Sequence, residues 1–422
     1  MYCTSLALSF AILPSNLQNN IKLILSIGIG SLIGWPFMGV LIVPLFLNEI
    51  LNLKGFVSMF KVTGRWITMG IAVILSLSVP IVLTDAFFYK KYAFVPINII
   101  NYNVFSGNVS KGPDIFGTEP FDFYFKNLFL NFNLVFILAL LSAPILTLSC
   151  ITLFFQDQAR LNPTIFGKYF ARISIFYLWL IIFTLQPHKE ERFMFVVYPM
   201  ICFNASMTLY FIERHVEMFR LPRFISNVFS KVFSPTILVV FVVLSLSRSA
   251  SLYYNYHSPI SVYKSFYNET QNLDVEKRLC LGKEWHRFPS HFFIPDKVNV
   301  QFLKSDFNGL LPKHFENKEN GWRSGTWTVP SDMNDINKEE FGRYVNVETC
   351  DFLIDLELYQ LSETKNEPSY VKDTKNWEII ECQKFLNHQK TPSLNRIFYI
   401  PDFIFEDQRV WGDYCILKKK NL

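Results

Sequence analysis

The densest chemistry in the sequence is one short polar run, Gln186-Pro187-His188-Lys189-Glu190-Glu191-Arg192-Phe193, between two apolar stretches. A histidine, two permanent cations and two carboxylates meet there at the edge of a hydrocarbon phase. Arginine offers a bidentate fork and lysine a point charge, so the composition suits a phosphate. Such contacts are worth more beside low dielectric than in water. The same residues also suit an interfacial turn whose charges snorkel to water and pair with one another. Residue chemistry alone leaves both readings open, because ionisable groups in a membrane are functional only by default.

The elements that must hold this turn are membrane spans. Of 422 residues, 50% are hydrophobic and 18% charged, whereas an ordinary soluble domain carries roughly 25% charge. The hydrocarbon core is about 30 Å thick and needs roughly 20 mostly apolar residues per helix. Ile21–Ile50, interrupted at Gly34-Trp35-Pro36 and Pro44, is expected to span it. So are Trp66–Tyr89, Leu128–Phe155, Tyr169–Gln186, Phe193–Ile212 and Pro235–Tyr254. Neighbouring helices can satisfy the carbonyls that internal prolines free. Met1–Pro14 is apolar but short, without the basic start of a signal peptide. The expectation is a helix whose beginning is missing and a chain incomplete at its N-terminus.

Basic residues fix the orientation. Asn52–Arg65, Gln156–Arg172 and Glu213–Lys231 carry the positive excess that marks cytoplasmic loops. Loops 90–127 and 187–192 then face the lumen, as does everything after Tyr254. The sequons at Asn108 and Asn268 fall in segments already assigned there, the side on which acceptors are used. A dilysine-like tail, Lys419-Lys420-Asn421-Leu422, would sit on the wrong side to be read as a retrieval signal. Residues 1–254 thus form a helical membrane region, and 255–422 a small α+β luminal domain. Cys280, Cys350, Cys382 and Cys415 lie in that domain. An oxidising lumen permits disulfides, and three connectivities stand open. No spacing suggests a metal site, and the net charge of +5 forms no basic stripe of the kind nucleic acid requires.

The run His188-Lys189-Glu190-Glu191-Arg192-Phe193 resembles the His-Lys-Glu-x-Arg-Phe signature of glycosyltransferase family 22. Gly34-Trp35-Pro36-Phe37, Asp85 to Lys90, Pro96 to Val104 and Gly117 to Tyr124 are similar to further segments of that family. Gly282 to Ser290 and Val329 to Asp335 resemble the luminal tail of one branch. That branch is the α-1,2-mannosyltransferases of asparagine-linked glycosylation.

The resemblance implies a multi-span GT-C fold in the endoplasmic reticulum membrane. It implies inverting transfer of mannose from dolichyl-phosphate mannose to a lipid-linked oligosaccharide, with no cofactor beyond that lipid donor. It places His188, Lys189 and Arg192 beside the donor phosphate, with Glu191 orienting Arg192. Lys90 and Tyr102 are candidates for the same pocket, and Asn101, Glu119 and Tyr124 for the sugar sites. The family's catalytic carboxylate belongs to a luminal loop expected upstream of Met1, so this chain alone is expected to be inactive. A GPI-anchor mannosyltransferase and a non-catalytic membrane scaffold are the alternatives. A luminal domain rich in aromatic residues suggests contact with the acceptor glycan.

Overall fold

The computed structural model describes residues 1–13, 15–105, 112–156, 163–218, 224, 229–314, 324–328, 330–359 and 363–420. They form two compact units. Met1–Val242 with Phe315–Pro330 makes a helical unit; Val243–His314 with Ser331–Leu422 makes a second unit built on a sheet.

The helical unit opens with α1 (Tyr2–Ile12) and α2 (Leu17–Ile29). The single span expected over Ile21–Ile50 is not one helix. It passes from α2 into a π turn, Gly30–Gly34, then a 3-10 helix, Pro36–Ile42, then α3 (Val43–Leu51). Proline explains the break: its ring drives the preceding residue out of the helical region, and Trp35 is extended at φ −134° and ψ 119°. Pro44, by contrast, falls in the first turn of α3, where no N–H is needed.

The next helix, α4 (Phe56–Tyr89), begins ten residues before the expected Trp66 and carries Lys61 and Arg65 in its early turns. It is followed by α5 (Val95–Ile100), α6 (Phe123–Gln156), α7 (Pro163–Leu185) and, after a 3-10 helix at Glu191–Val197, α8 (Tyr198–Met218). The last long helix is α9 (Ser234–Tyr256). Five of these helices are long and apolar enough to cross a membrane: α4, α6, α7, α8 with its 3-10 lead-in, and α9. The helical core gathers Trp179, Phe176, Met194, Tyr124 and Leu128 from α6, α7 and the 3-10 turn, all essentially inaccessible.

In the second unit, α10 (Ser258–Thr270) lies on a five-stranded sheet. Its strands are β1 (Lys277–Leu281), β2 (Val298–Phe302), β3 (Phe352–Glu357), β4 (Trp377–Leu386) and β5 (Trp411–Lys419). They run in the order β2-β1-β3-β5-β4. β1 pairs in parallel with β2 and β3, while β5 is antiparallel to β3 and β4. A central strand covered on both faces reads as a continuous buried run, and every residue of β3 is buried. One face packs Val262, Tyr263 and Phe266 of α10 against Leu279, Ile354 and Ile416. The other holds Cys280, Leu353, Cys415 and Leu417. The pairing left open by the sequence is Cys280–Cys350 and Cys382–Cys415. The end of α9 belongs to this unit too: Ser251 donates to the Arg396 carbonyl at 3.0 Å, and Tyr254 stacks on Tyr399.

Candidate functional site

The polar turn between α7 and α8 is held by a second loop, not by its own charges alone. Glu119 N–H donates to the Pro187 carbonyl at 3.0 Å. His188 Nδ1 lies 2.7 Å from the Gly117 carbonyl, and Lys189 Nζ donates to the Glu119 carbonyl at 2.8 Å. Three bonds therefore staple residues 117–119 to 187–189. Two of the three donors are side chains of the turn, and the third is a backbone N–H of the loop.

Within the staple, each expected residue takes a definite part. Lys189 is buried, at 6% exposure, with its ammonium directed to the Glu119 carbonyl. Tyr124 is fully buried, its hydroxyl accepting the Glu190 N–H at 3.3 Å. Both tie the turn to its surroundings. The Glu119 side chain is exposed.

Arg192 is held by Glu190 rather than by Glu191, which corrects the expectation. Glu190 is extended (φ −132°, ψ 147°) where the 3-10 helix begins, which turns its carboxylate toward the residue two places on. Arg192 Nη2 and Nε meet Glu190 Oε1 and Oε2 at 2.8 and 2.5 Å, a bidentate fork. The same carboxylate lies 3.2 Å from His188 Nε2. The imidazole thus lies between a backbone carbonyl and a carboxylate. Glu191, the first residue of the 3-10 helix, accepts from Asn131 Nδ2 of α6 at 2.8 Å. His188, Glu190 and Arg192 thus form a chain of charge-assisted bonds, with the Arg192 side chain 69% exposed.

Beside this chain lies a cavity of about 300 Å³, lined by His188, Phe193, Trp35, Phe37, Asn103 and Phe183 among others. The break at Pro36 places Trp35 there. Its ring packs 4.8 Å from Phe193, 5.0 Å from Phe183 and 5.7 Å from Trp179. Trp179 in turn donates to the Phe193 carbonyl at 3.0 Å. Aromatic pairs of this kind contribute roughly 0.5–1.5 kcal/mol each beyond their area, so the wall is stiff. The arrangement sets an apolar, aromatic recess beside an exposed guanidinium and an imidazole. A ligand with a lipid tail and an anionic head would match both halves.

The remaining candidates are spread more widely. Tyr102 donates to the Gly112 carbonyl at 3.1 Å, and Asn101 is exposed on the same turn. Lys90 ends α4 in the left-handed region at φ 54°, its ammonium 4.2 Å from the Trp327 ring centroid. Trp327 and Thr326 donate to the Phe87 and Phe88 carbonyls at that helix end. Asn268 is exposed on the last turn of α10, and Asn108 lies outside the described residues. The sequence reading did not assign roles to Glu190 or Asn103. Glu190 sat inside the signature, but only the extended backbone at the helix start shows which acid reaches Arg192.

A bundle of apolar helices, a charged interfacial turn beside an aromatic recess, and a sheet unit together define a multi-pass membrane protein. The chain belongs to the Alg9-like mannosyltransferase family, whose model matches residues 1–295. It is 37% identical over 432 residues to the alpha-1,2-mannosyltransferase alg9 of Schizosaccharomyces pombe, covering 100% of this chain and 71% of that protein. The human alpha-1,2-mannosyltransferase ALG9 is 36% identical over 94% of this chain, and the Saccharomyces cerevisiae protein of that name 31% over 93%. This chain spans 63% of the human relative's length and 67% of the budding-yeast one. No solved structure matches it.

Proposed function

We propose that the protein transfers mannose from dolichyl-phosphate mannose to a lipid-linked oligosaccharide, forming an α-1,2 linkage on the luminal side of the endoplasmic reticulum membrane. The observation that carries this reading is the Glu190–Arg192 fork, its guanidinium exposed, with His188 beside the recess at Trp35. Displacing a lipid phosphate with inversion needs a base at the acceptor hydroxyl and charge stabilisation at the leaving group. The turn supplies the second. Arg192 would face the departing phosphate, Glu190 would hold its fork in register, and His188 would add a second donor. The aromatic recess would receive the first part of the donor's lipid chain. The luminal side is supported by the charge parity of the loops and by two disulfides in the sheet unit, which an oxidising compartment permits.

The test is Arg192→Ala in the full-length protein, assayed in membranes with labelled dolichyl-phosphate mannose and the lipid-linked acceptor. Transfer should fall by about 100-fold, the usual effect of losing one preorganised charge donor. Arg192→Lys should recover little, because an ammonium cannot form the fork. Near-normal turnover at normal protein level would overturn the assignment.

A further inference from the structure

The sheet unit carries a cavity of its own, about 500 Å³ in volume, within the range of sites for small ligands, about 300–1,000 Å³. It opens where the 3-10 turn after β1, Lys283–Arg287, meets the end of β3 and residues 363–369. We propose that this cleft is a binding site for a neutral oligosaccharide, the sugar part of the acceptor.

Its charges exclude the obvious alternative. The lining holds two cations and four carboxylates, and both cations are already committed. Lys283 pairs with buried Asp355 at 2.9 Å, and Arg287 with Glu284 at 2.8 Å. Glu284 is 2% exposed; burial pushes its carboxyl up and Arg287 pulls it back. Lys372 pairs in turn with Glu357 and Glu363 at 3.3 and 3.1 Å, so the cleft keeps a smaller net negative excess, which disfavours phosphate and accepts from hydroxyl groups. A polyol is neutral and rich in donors.

The apolar wall completes the match. Trp285 and Phe307 pack with ring centroids 4.4 Å apart, and a pyranose presents a face of C–H groups that packs on such rings while its hydroxyls point to acceptors. The ion pairs also explain why the wall is fixed. Burying two pairs in a small domain is expensive unless each is fully hydrogen-bonded, and Asp355 also accepts from the Tyr370 and Val371 N–H groups at 2.8 and 3.2 Å. The turn that bears Trp285 is therefore anchored at both ends by buried charge. Most of the cleft's lining lies past residue 295, beyond the residues that the family model matches.

The identity of the sugar rests on the mannosyltransferase reading; the site itself does not. The experiment is calorimetric titration of the full-length protein in nanodiscs with a free α-linked mannose oligosaccharide, with inorganic phosphate as a separate probe. Wild type should bind the oligosaccharide and ignore phosphate. Trp285→Ala should weaken binding about tenfold, Trp285→Phe should restore most of it, and Glu363→Gln at the rim, which also loses the Lys372 pair, should weaken it a few-fold. Equal binding by wild type, Trp285→Ala and Glu363→Gln, or no binding by wild type, overturns the proposal. So does phosphate displacing the oligosaccharide. Binding that persists without any transfer activity would sink the enzymatic reading and leave the cleft standing.

Discussion

Glu190 is the residue on which the interfacial turn depends, because three groups converge on it: the Arg192 fork, the His188 ring and, through its backbone N–H, the Tyr124 hydroxyl. Charge-assisted bonds are worth about 1.5–3 kcal/mol each, or roughly ten- to hundredfold in a rate if the held group acts in the transition state. Glu190→Gln keeps the shape but cannot bind the guanidinium as an ion, so transfer should drop within that range. Glu191→Gln loosens only the bond from Asn131 and should change transfer by less than about threefold. Rates of labelled mannose transfer for the two variants, at matched protein levels, separate them; equal losses would put the control at Glu191 instead. The signature singles out Glu190 over Glu191 but does not say which of them reaches Arg192. The distinction comes from one extended residue preceding a 3-10 turn, a local geometry to which sequence spacing gives no access. The burial of Lys189, named beside the donor phosphate in the sequence, was hidden for a related reason: a cation in a polar run gives no sign of the depth at which a neighbouring carbonyl will hold it.

Elements were more legible, since their rules are local. Gly34-Trp35-Pro36 announced a break because proline forbids helix at the preceding residue, and the structure puts Trp35 in extended conformation there. What the sequence did not convey is that the segment is four short pieces rather than one span, since hydropathy measures the surroundings of a residue and not its hydrogen bonding. The sheet unit yields a prediction of its own. Burial first, then the Arg287 charge, hold the His286 imidazole below its usual range, and burial with neighbouring His314 does the same for His291. A native state that resists protonation binds fewer protons than the unfolded chain, whose histidines titrate near 6.5. These two residues therefore contribute stability that is fully present above about pH 6.5 and is lost as pH falls through that value toward their lower folded ones. Asp306, Asp332, Glu339 and Glu363 are held below the usual carboxylate range by their hydrogen-bond partners, so they act only at lower pH. Denaturation of the sheet unit, followed from pH 7.5 to 5.5, should show a falling midpoint. His286→Gln with His291→Gln should flatten it; an unchanged slope would mean the histidines do not control it.

At the scale of the whole molecule, the hydropathy division at residue 254 and the division of the compact units at residue 242 differ for a physical reason. The end of α9 is apolar by composition, yet Ser251 and Asn255 on it are buried with Arg396 beside them. The return of Phe315–Pro330 to the helical unit was not legible at all, since Thr326 and Trp327 act by capping a helix end more than two hundred residues earlier. Charge parity, by contrast, rests on many residues at once and tolerates such local errors. It predicts the basic stretch at 52–65 on one side of the membrane and the sheet unit on the other. Protease added outside intact microsomes tests that assignment directly. The sheet unit should survive until detergent is added, because the sealed membrane keeps the protease from the luminal side. Cleavage near Lys54 to Arg65 should need no detergent. If the sheet unit were instead digested in sealed vesicles while that stretch stayed intact, the orientation would be reversed. The turn at His188–Arg192 would then face the cytosol, and both the donor assignment and the glycan cleft would need a substrate on that side.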